Sequence, residues 1–240
     1  MFTRTENFQT FLRLYPVVSI LVSIHIFFWL LFQLSIPTLQ IVLSLLDGYN
    51  AGIANGEFWR IITPIFLHIG FGHLFFNTIS LILFAPALER MLGKGKFIFL
   101  YIGAGIIADI ATFVLEPQQY SHIGASGAIF GLFGAYLFMV FFRKGMMDQA
   151  NSQIIISILV IGLIMTFFNA NINIVAHIFG FIGGFALAPL IIKKRGQFVH
   201  QTYYSPSNVK KFSLHKLGIK QILWMLFGLL IVIGILTRLI

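Results

Sequence analysis

Residues 123–142 read IGASGAIFGLFGAYLFMVFF, with no charged side chain in the run. About 20 mostly apolar residues are enough for a helix to cross the hydrocarbon core of a bilayer. Gly127, Gly131 and Gly134 punctuate the run. Small residues at such intervals let helix backbones approach closely in lipid. Near its start stands Gly124-Ala125-Ser126-Gly127, a hydroxyl among glycines.

The rest of the chain agrees with a lipid solvent. Of its 240 residues 58% are hydrophobic and 10% charged, with 28 Phe and a mean hydropathy of +0.94. A soluble domain averages about a quarter charged residues, and one core of this size could not hide so much apolar surface. Besides Ile123–Phe142, the stretches Pro16–Leu34, Phe71–Leu88, Phe97–Leu115, Gln153–Phe168, Ile172–Ile192 and Ile219–Leu239 are of spanning length or nearly so. The expected fold class is therefore an all-α membrane protein. The first stretch has no small-residue cleavage site after it and reads as a retained helix rather than a signal peptide. Cysteine is absent, which excludes disulfides, cysteine-ligated metals and a cysteine nucleophile.

The net charge of +9 would suggest nucleic-acid binding in a soluble protein. Here the basic residues are accounted for by topology. With the N-terminus cytoplasmic, fourteen of the sixteen Lys and Arg fall on the inner side, leaving Arg60 and Arg238 outside. The positive-inside rule then gives N-in, C-out. Residues 1–192 form a six-helix core whose outer first loop is 35–70. Residues 193–218 form a basic cytoplasmic linker, and 219–240 an additional C-terminal span.

Polar groups within spans are costly and each asks for a reason. His73 and Asn77 lie in the first turns of the second span, Ser126 in those of the fourth and His177 in those of the sixth. These spans run in the same direction, so Asn77, Ser126 and His177 fall roughly 6–9 Å below the outer helix ends. His177 is followed by Gly180, Gly184 and Ala188, a second small-residue row. Facing rows would bring Ser126 and His177 within reach, and an imidazole beside a hydroxyl is the minimum for an activated serine. Backbone N–H groups near a helix N-terminus, with His73 and Asn77 one turn apart, would suit a developing oxyanion. Each feature alone has a plainer explanation: glycines for packing, a histidine as a structural hydrogen bonder, an Asn satisfying a helix end. Four such groups at one depth favour chemistry.

Asp109 on the third span lies near the same depth. It could orient His177 as a third member of a triad, or be a hydrogen-bonded structural group. His122, four residues before Ser126, reads as an interfacial residue. His25 in the first span suggests no partner.

Trp59-Arg60, His68, His73-Leu74-Phe75-Phe76-Asn77, Glu89…Gly93, Gly124-Ala125-Ser126-Gly127 and Ala176-His177 with Gly180 and Gly184 occur in this order. Together they resemble the rhomboid family of intramembrane serine proteases, over roughly Gly56 to Pro189. The resemblance implies a six-helix transmembrane core plus one C-terminal helix (6+1). It implies Ser126 as nucleophile, His177 as general base, and His73, Asn77 and the Ser126 N–H as oxyanion donors. Trp59 and Arg60 would structure the first loop, and Glu89 would be a structural hydrogen bonder. Members of the family sometimes carry an aromatic on the third span that packs on this histidine, and the equivalent position here falls near Ile110. No cofactor or metal is implied. The partners would be transmembrane protein substrates and the lipid bilayer, not nucleic acid, with the oligomeric state open. The lateral entry for substrate would involve the fifth helix and the loop near Asn169–Asn173. A client-binding relative that does not cut would lack the serine or the histidine. A solute transporter would show internally repeated halves, which are not visible. The short loops and the lack of an organellar presequence suggest a bacterial plasma membrane.

Overall fold

Pro16 opens the first long helix, where its missing N–H costs nothing and its fixed φ suits a helix start. The computed structural model describes residues 2, 4–143, 145–168 and 172–192. A short helix α1 (Phe8–Leu14), capped by the Asn7 side chain accepting from Thr10 N, leads into α2 (Pro16–Gln33). The loop that follows folds into α3 (Pro37–Ser44), α4 (Asn50–Ala54) and two 3-10 turns, Phe58–Ile61 and Thr63–Phe66. Then come α5 (Phe71–Leu92), α6 (Lys94–Leu115), α7 (Ser126–Phe142), α8 (Gln149–Phe168) and α9 (Ile174–Ile191). No strand occurs among the described residues.

Five of these helices are long and apolar enough to cross a membrane, and α7 is a shorter apolar helix of 17 residues. Side chains such as Phe27, Phe76, Ile161 and Leu190 stand exposed on the outside of the bundle, as a lipid solvent requires. The proposed linker 193–218 and C-terminal span lie outside the described residues.

The helix bounds depart from the sequence reading in two informative places. The fourth span begins at Ser126 rather than Ile123, because Gly124 holds φ +128, which no helix accommodates. The sixth begins at Ile174 rather than Ile172, where the Asn173 side chain accepts from Ala176 N and caps it. Gly93, at φ +80, separates α5 from α6 in a single residue.

Helix α7 is the central post, buried from Gly127 to Met139 and packed between α6 and α9. Its contact with α9 is backbone on backbone. A Cβ added to Gly180 would overlap the Gly127 carbonyl oxygen, and one added to Gly184 the Gly131 carbonyl oxygen. Gly134 likewise lies against the backbone of Phe181 and Phe185. The two small-residue rows therefore face each other.

Buried side chains fasten the two ends of the bundle. Arg60, almost fully buried, donates to Ser44 O and Asp47 O at 2.9 and 3.0 Å and pairs with Asp47 and Glu57. Trp59 Nε1 donates to Leu45 O at 2.9 Å. At the opposite end Glu89 accepts from Val17 N and Val18 N at 3.0 and 2.9 Å, holding the first turn of α2. Tyr136 Oη donates to Phe84 O, tying α7 to α5.

His25 does have neighbours: its ring lies 4.8 Å from that of His68, which in turn lies 4.9 Å from that of His73. His68 precedes α5 and is fully buried. Burial, with His25 and His73 beside it, pushes its pKa from 6.5 down to about 2. An unfolded chain binds this proton below about pH 6.5 while the folded chain does not, so stability falls as pH drops through that range.

Two outcomes follow for the purified protein in detergent. Gly184→Ala will cost about 1–3 kcal/mol of stability, seen as a lower unfolding temperature. Gly95→Ala, where no described atom lies within 4 Å of the added methyl, will leave it unchanged. Acidification from neutral to about pH 5 will lower the unfolding temperature, and His68→Gln will flatten that slope. An identical slope in the variant would remove His68 as its source.

Candidate active site

Ser126 occupies the first position of α7, and Ala125 before it offers no side-chain cap. The first hydrogen bond of the helix runs from Ile129 N to Ala125 O. The N–H groups of Ser126, Gly127 and Ala128 thus have no intrahelical partner, as at any helix N-terminus. They carry the positive end of the helix dipole, a setting suited to negative charge on a nearby oxygen.

Gly124 brings α5 to this point. A Cβ there would lie 2.5 Å from both Cε1 and Nε2 of His73, so the imidazole rests directly on the Gly124 backbone. Gly124 N donates to Pro64 O at 2.9 Å, anchoring the turn from below. Asn77, one turn along α5 and buried, donates through Nδ2 to His73 O at 2.8 Å, which leaves its second amide proton uncommitted.

The glycine rows bring α9 alongside. A Cβ on Gly127 would stand 3.4 Å from Ala176 O and 2.7 Å from Ala108 Cβ. Ser126 and His177 are the chain neighbours of Gly127 and Ala176. Ser126 Oγ takes part in no hydrogen bond among the described residues. Nucleophile–base bonds are often open without substrate and close in the reacting complex.

His177 is buried and held on both sides. Phe130, one turn into α7, stacks on its ring at 4.2 Å and 21°. Its Nδ1 lies 2.7 Å from Oγ1 of Thr166 on α8. Thr166 donates its only hydroxyl proton to Gly162 O at 2.8 Å. A carbonyl can only accept, so the proton between Thr166 and His177 must sit on Nδ1. Nε2 then keeps its lone pair, the form a general base needs.

Of the two readings of Asp109, the hydrogen-bonded structural group holds and the triad member does not: its Oδ1 accepts from His122 Nε2 at 3.0 Å, while His177 Nδ1 faces Thr166. The His122 side chain is buried in this contact. The aromatic on His177 comes from Phe130, not from near Ile110, which is exposed. Residue four after Ser126 returns to the same helix face, a spacing that could have indicated Phe130. Nothing in the sequence singled out Thr166 among the apolar residues of α8. Trp59 and Arg60 sit in the loop described above. Glu89 lies twelve residues beyond Asn77 on α5, about 18 Å along the axis, and fastens the far end.

The Rhomboid domain profile matches residues 55–194. The chain is 55% identical to the rhomboid relative YdcA of Bacillus subtilis (strain 168) over 195 residues, 81% of this chain and 98% of that one. It is 47% identical to the rhomboid protease GluP of the same organism over 150 residues, 62% of this chain and 29% of GluP. RHOMBOID-like protein 5 of Arabidopsis thaliana is 33% identical over 175 residues, 72% of this chain and 56% of that protein.

Removing the Thr166 hydroxyl frees the imidazole to adopt the wrong tautomer. Thr166→Val will slow labelling of Ser126 by a fluorophosphonate about tenfold or more, whereas Thr166→Ser will retain most of the rate. Equal rates in Thr166→Val and wild type would refute this assignment of the tautomer.

Proposed function

We propose that this chain, which belongs to the rhomboid family, cuts its substrates with Ser126 as nucleophile and His177 as general base. Family membership makes it an integral multi-pass membrane protein and an intramembrane serine endopeptidase. The assignment of roles to residues rests on one observation above others. Three segments, carrying His73, Ser126 and His177, meet through glycine contacts at Gly124 and Gly127.

The reaction follows from those positions. Ser126 Oγ attacks the scissile carbonyl carbon while His177 Nε2 takes the hydroxyl proton. The carbonyl oxygen gains the negative charge, which the Ser126 N–H, His73 and the free Asn77 amide proton stabilise. The tetrahedral intermediate collapses, the C–N bond breaks, and His177 returns the proton to the leaving amine. Water then attacks the acyl-serine with His177 again as base, releasing the carboxylate and restoring Ser126. Phe130 and Thr166 keep the imidazole flat and in the right tautomer throughout.

A transmembrane substrate presents its carbonyls locked in helical hydrogen bonds, so the cut requires local unwinding. A helix-weakening sequence after the cut fits this demand, and the resemblance to the family adds a small residue before it. The active-site end faces outside, with the N-terminus cytoplasmic, because fourteen of the sixteen Lys and Arg then lie inside. Residues 219–240 would add a seventh span to the core, giving the 6+1 arrangement, with the C-terminus outside a bacterial plasma membrane. Helix α8 is the least buried of the long helices and is the natural side for lateral entry.

Wild type and Ser126→Ala, purified and placed in liposomes with a helix-weakened transmembrane substrate, separate the outcomes. Cleavage and fluorophosphonate labelling by wild type alone are expected, with the loss of activity in the variant at least about 1,000-fold. Cleavage by both proteins would move the nucleophile elsewhere.

A further inference from the structure

Helix α6 carries no residue in the reaction above, yet it holds two buried polar side chains three positions apart. Asp109 Oδ1 accepts from His122 Nε2 at 3.0 Å, and both side chains are buried. Thr112 Oγ1, fully buried, accepts from Asn173 Nδ2 at 3.0 Å and donates to Ala108 O at 2.9 Å. His122 precedes Ser126 by four residues, and Asn173 precedes His177 by four. One face of one helix thus grips the lead-in to each member of the Ser126–His177 pair.

Both grips reach the reacting residues through short, stiff paths. His122 is clamped: Gly48 N donates to its carbonyl at 2.9 Å, and Gly48 lies so close to the imidazole that any Cβ there would overlap it. From His122 the chain passes to Gly124, whose φ and contact with His73 are fixed, and so to Ser126. On the other side the Asn173 side chain also caps α9 through Ala176 N, and His177 N donates to Asn173 O at 3.2 Å. Asn173 therefore joins α6 to the first turn of α9, where His177 stands. Asn50 closes the same end of α6 by donating to Thr112 O, Glu116 O and Pro117 O.

Neither pair is needed merely to hold the helices together. Glycine contacts already lock α7 to α9, and apolar contacts such as Ile107 beneath Gly183 lock α6 to α9. A buried carboxylate and imidazole are expensive compared with an apolar pair of the same volume. What a directed hydrogen bond adds is registration of one segment against another.

We infer that Asp109–His122 and Thr112–Asn173 are positioning pairs through which α6 sets Ser126 and His177 against each other. This rests on the proposed roles of Ser126 and His177. Asp109 and Thr112 touch no reacting atom; they act through His122 and Asn173.

The full chain in liposomes tests this with the helix-weakened substrate and a fluorophosphonate probe. His122→Ala and Thr112→Val are expected to lower kcat and the labelling rate about tenfold or more while KM changes less than about twofold. Asp109→Asn, which still accepts through Oδ1, and Thr112→Ser, which keeps its hydroxyl, are expected to retain most of both rates. Wild-type kcat in His122→Ala and Thr112→Val would overturn the inference. So would an equal loss in the conservative variants, or a loss carried by KM. Should His122→Ala not melt cooperatively, the contrast between Thr112→Val and Thr112→Ser decides alone. Wild-type labelling that is absent in Ser126→Ala verifies the underlying reading separately. If wild type does not label at Ser126, that reading falls and takes the positioning role with it.

Discussion

The backbone contact between α7 and α9 is the constraint on which the remaining structure depends. In lipid, apolar side chains gain little by leaving the solvent for one another, so helices associate through close packing and hydrogen bonds. Here the carbonyls of Gly127 and Gly131 lie against Gly180 and Gly184 with no side chain between them. Such a contact has one register, because a shift along either helix would drive Ile, Phe or Leu into the space that only glycine leaves open. Ser126 adjoins the first glycine of one row, and His177 stands three residues before the first of the other. Fixing the rows fixes the pair, and the side chains Phe130 and Thr166 then need only set the imidazole's plane and tautomer.

Several buried polar side chains in this fold serve backbone ends and loops. Glu89 holds the start of α2, Asn50 the carbonyls ending α6, Asn173 the start of α9, and Arg60 the loop carbonyls of Ser44 and Asp47. An unpaired end group in a low-dielectric interior is costly, so each tie also stiffens the segment it satisfies. Helix α8 differs: it is the least buried of the long helices, yet it supplies Thr166 to His177. A displacement of α8 would thus cost little packing but would disturb the imidazole of His177.

Much of this was legible in the sequence because lipid imposes simple rules. Six of the seven apolar stretches coincide with helices α2 and α5–α9, since spanning length and charge-free runs leave few alternatives. The facing of the Gly127–Gly134 and Gly180–Gly184 rows was legible because small residues at helical spacing have one common use. Side-chain partners were harder. Asp109 and His122 are thirteen residues apart on different segments, and helix depth alone put Asp109 equally near His177. Phe130 was overshadowed because α7 is aromatic throughout, so its ring carries no distinguishing pattern. Thr166 reads as one more β-branched residue until the tilt of α8 is known.

Where α7 begins was the least legible feature, and it matters most for chemistry. The apolar run continues unbroken from Ile123, so hydropathy places three more residues in the helix. Gly124 stops it by adopting φ +128. Two features of the site come from this one residue. Its torsion makes Ser126 the first residue of a helix with its N–H free, and its missing Cβ lets His73 rest on the Gly124 backbone. A side chain at 124 would oppose the torsion and displace His73 at once, so the backbone break and the proposed oxyanion site are one construction. Glycine in this run therefore does two separate jobs. At 127, 131 and 134 it lets helices touch, and at 124 it keeps a helix from starting too soon.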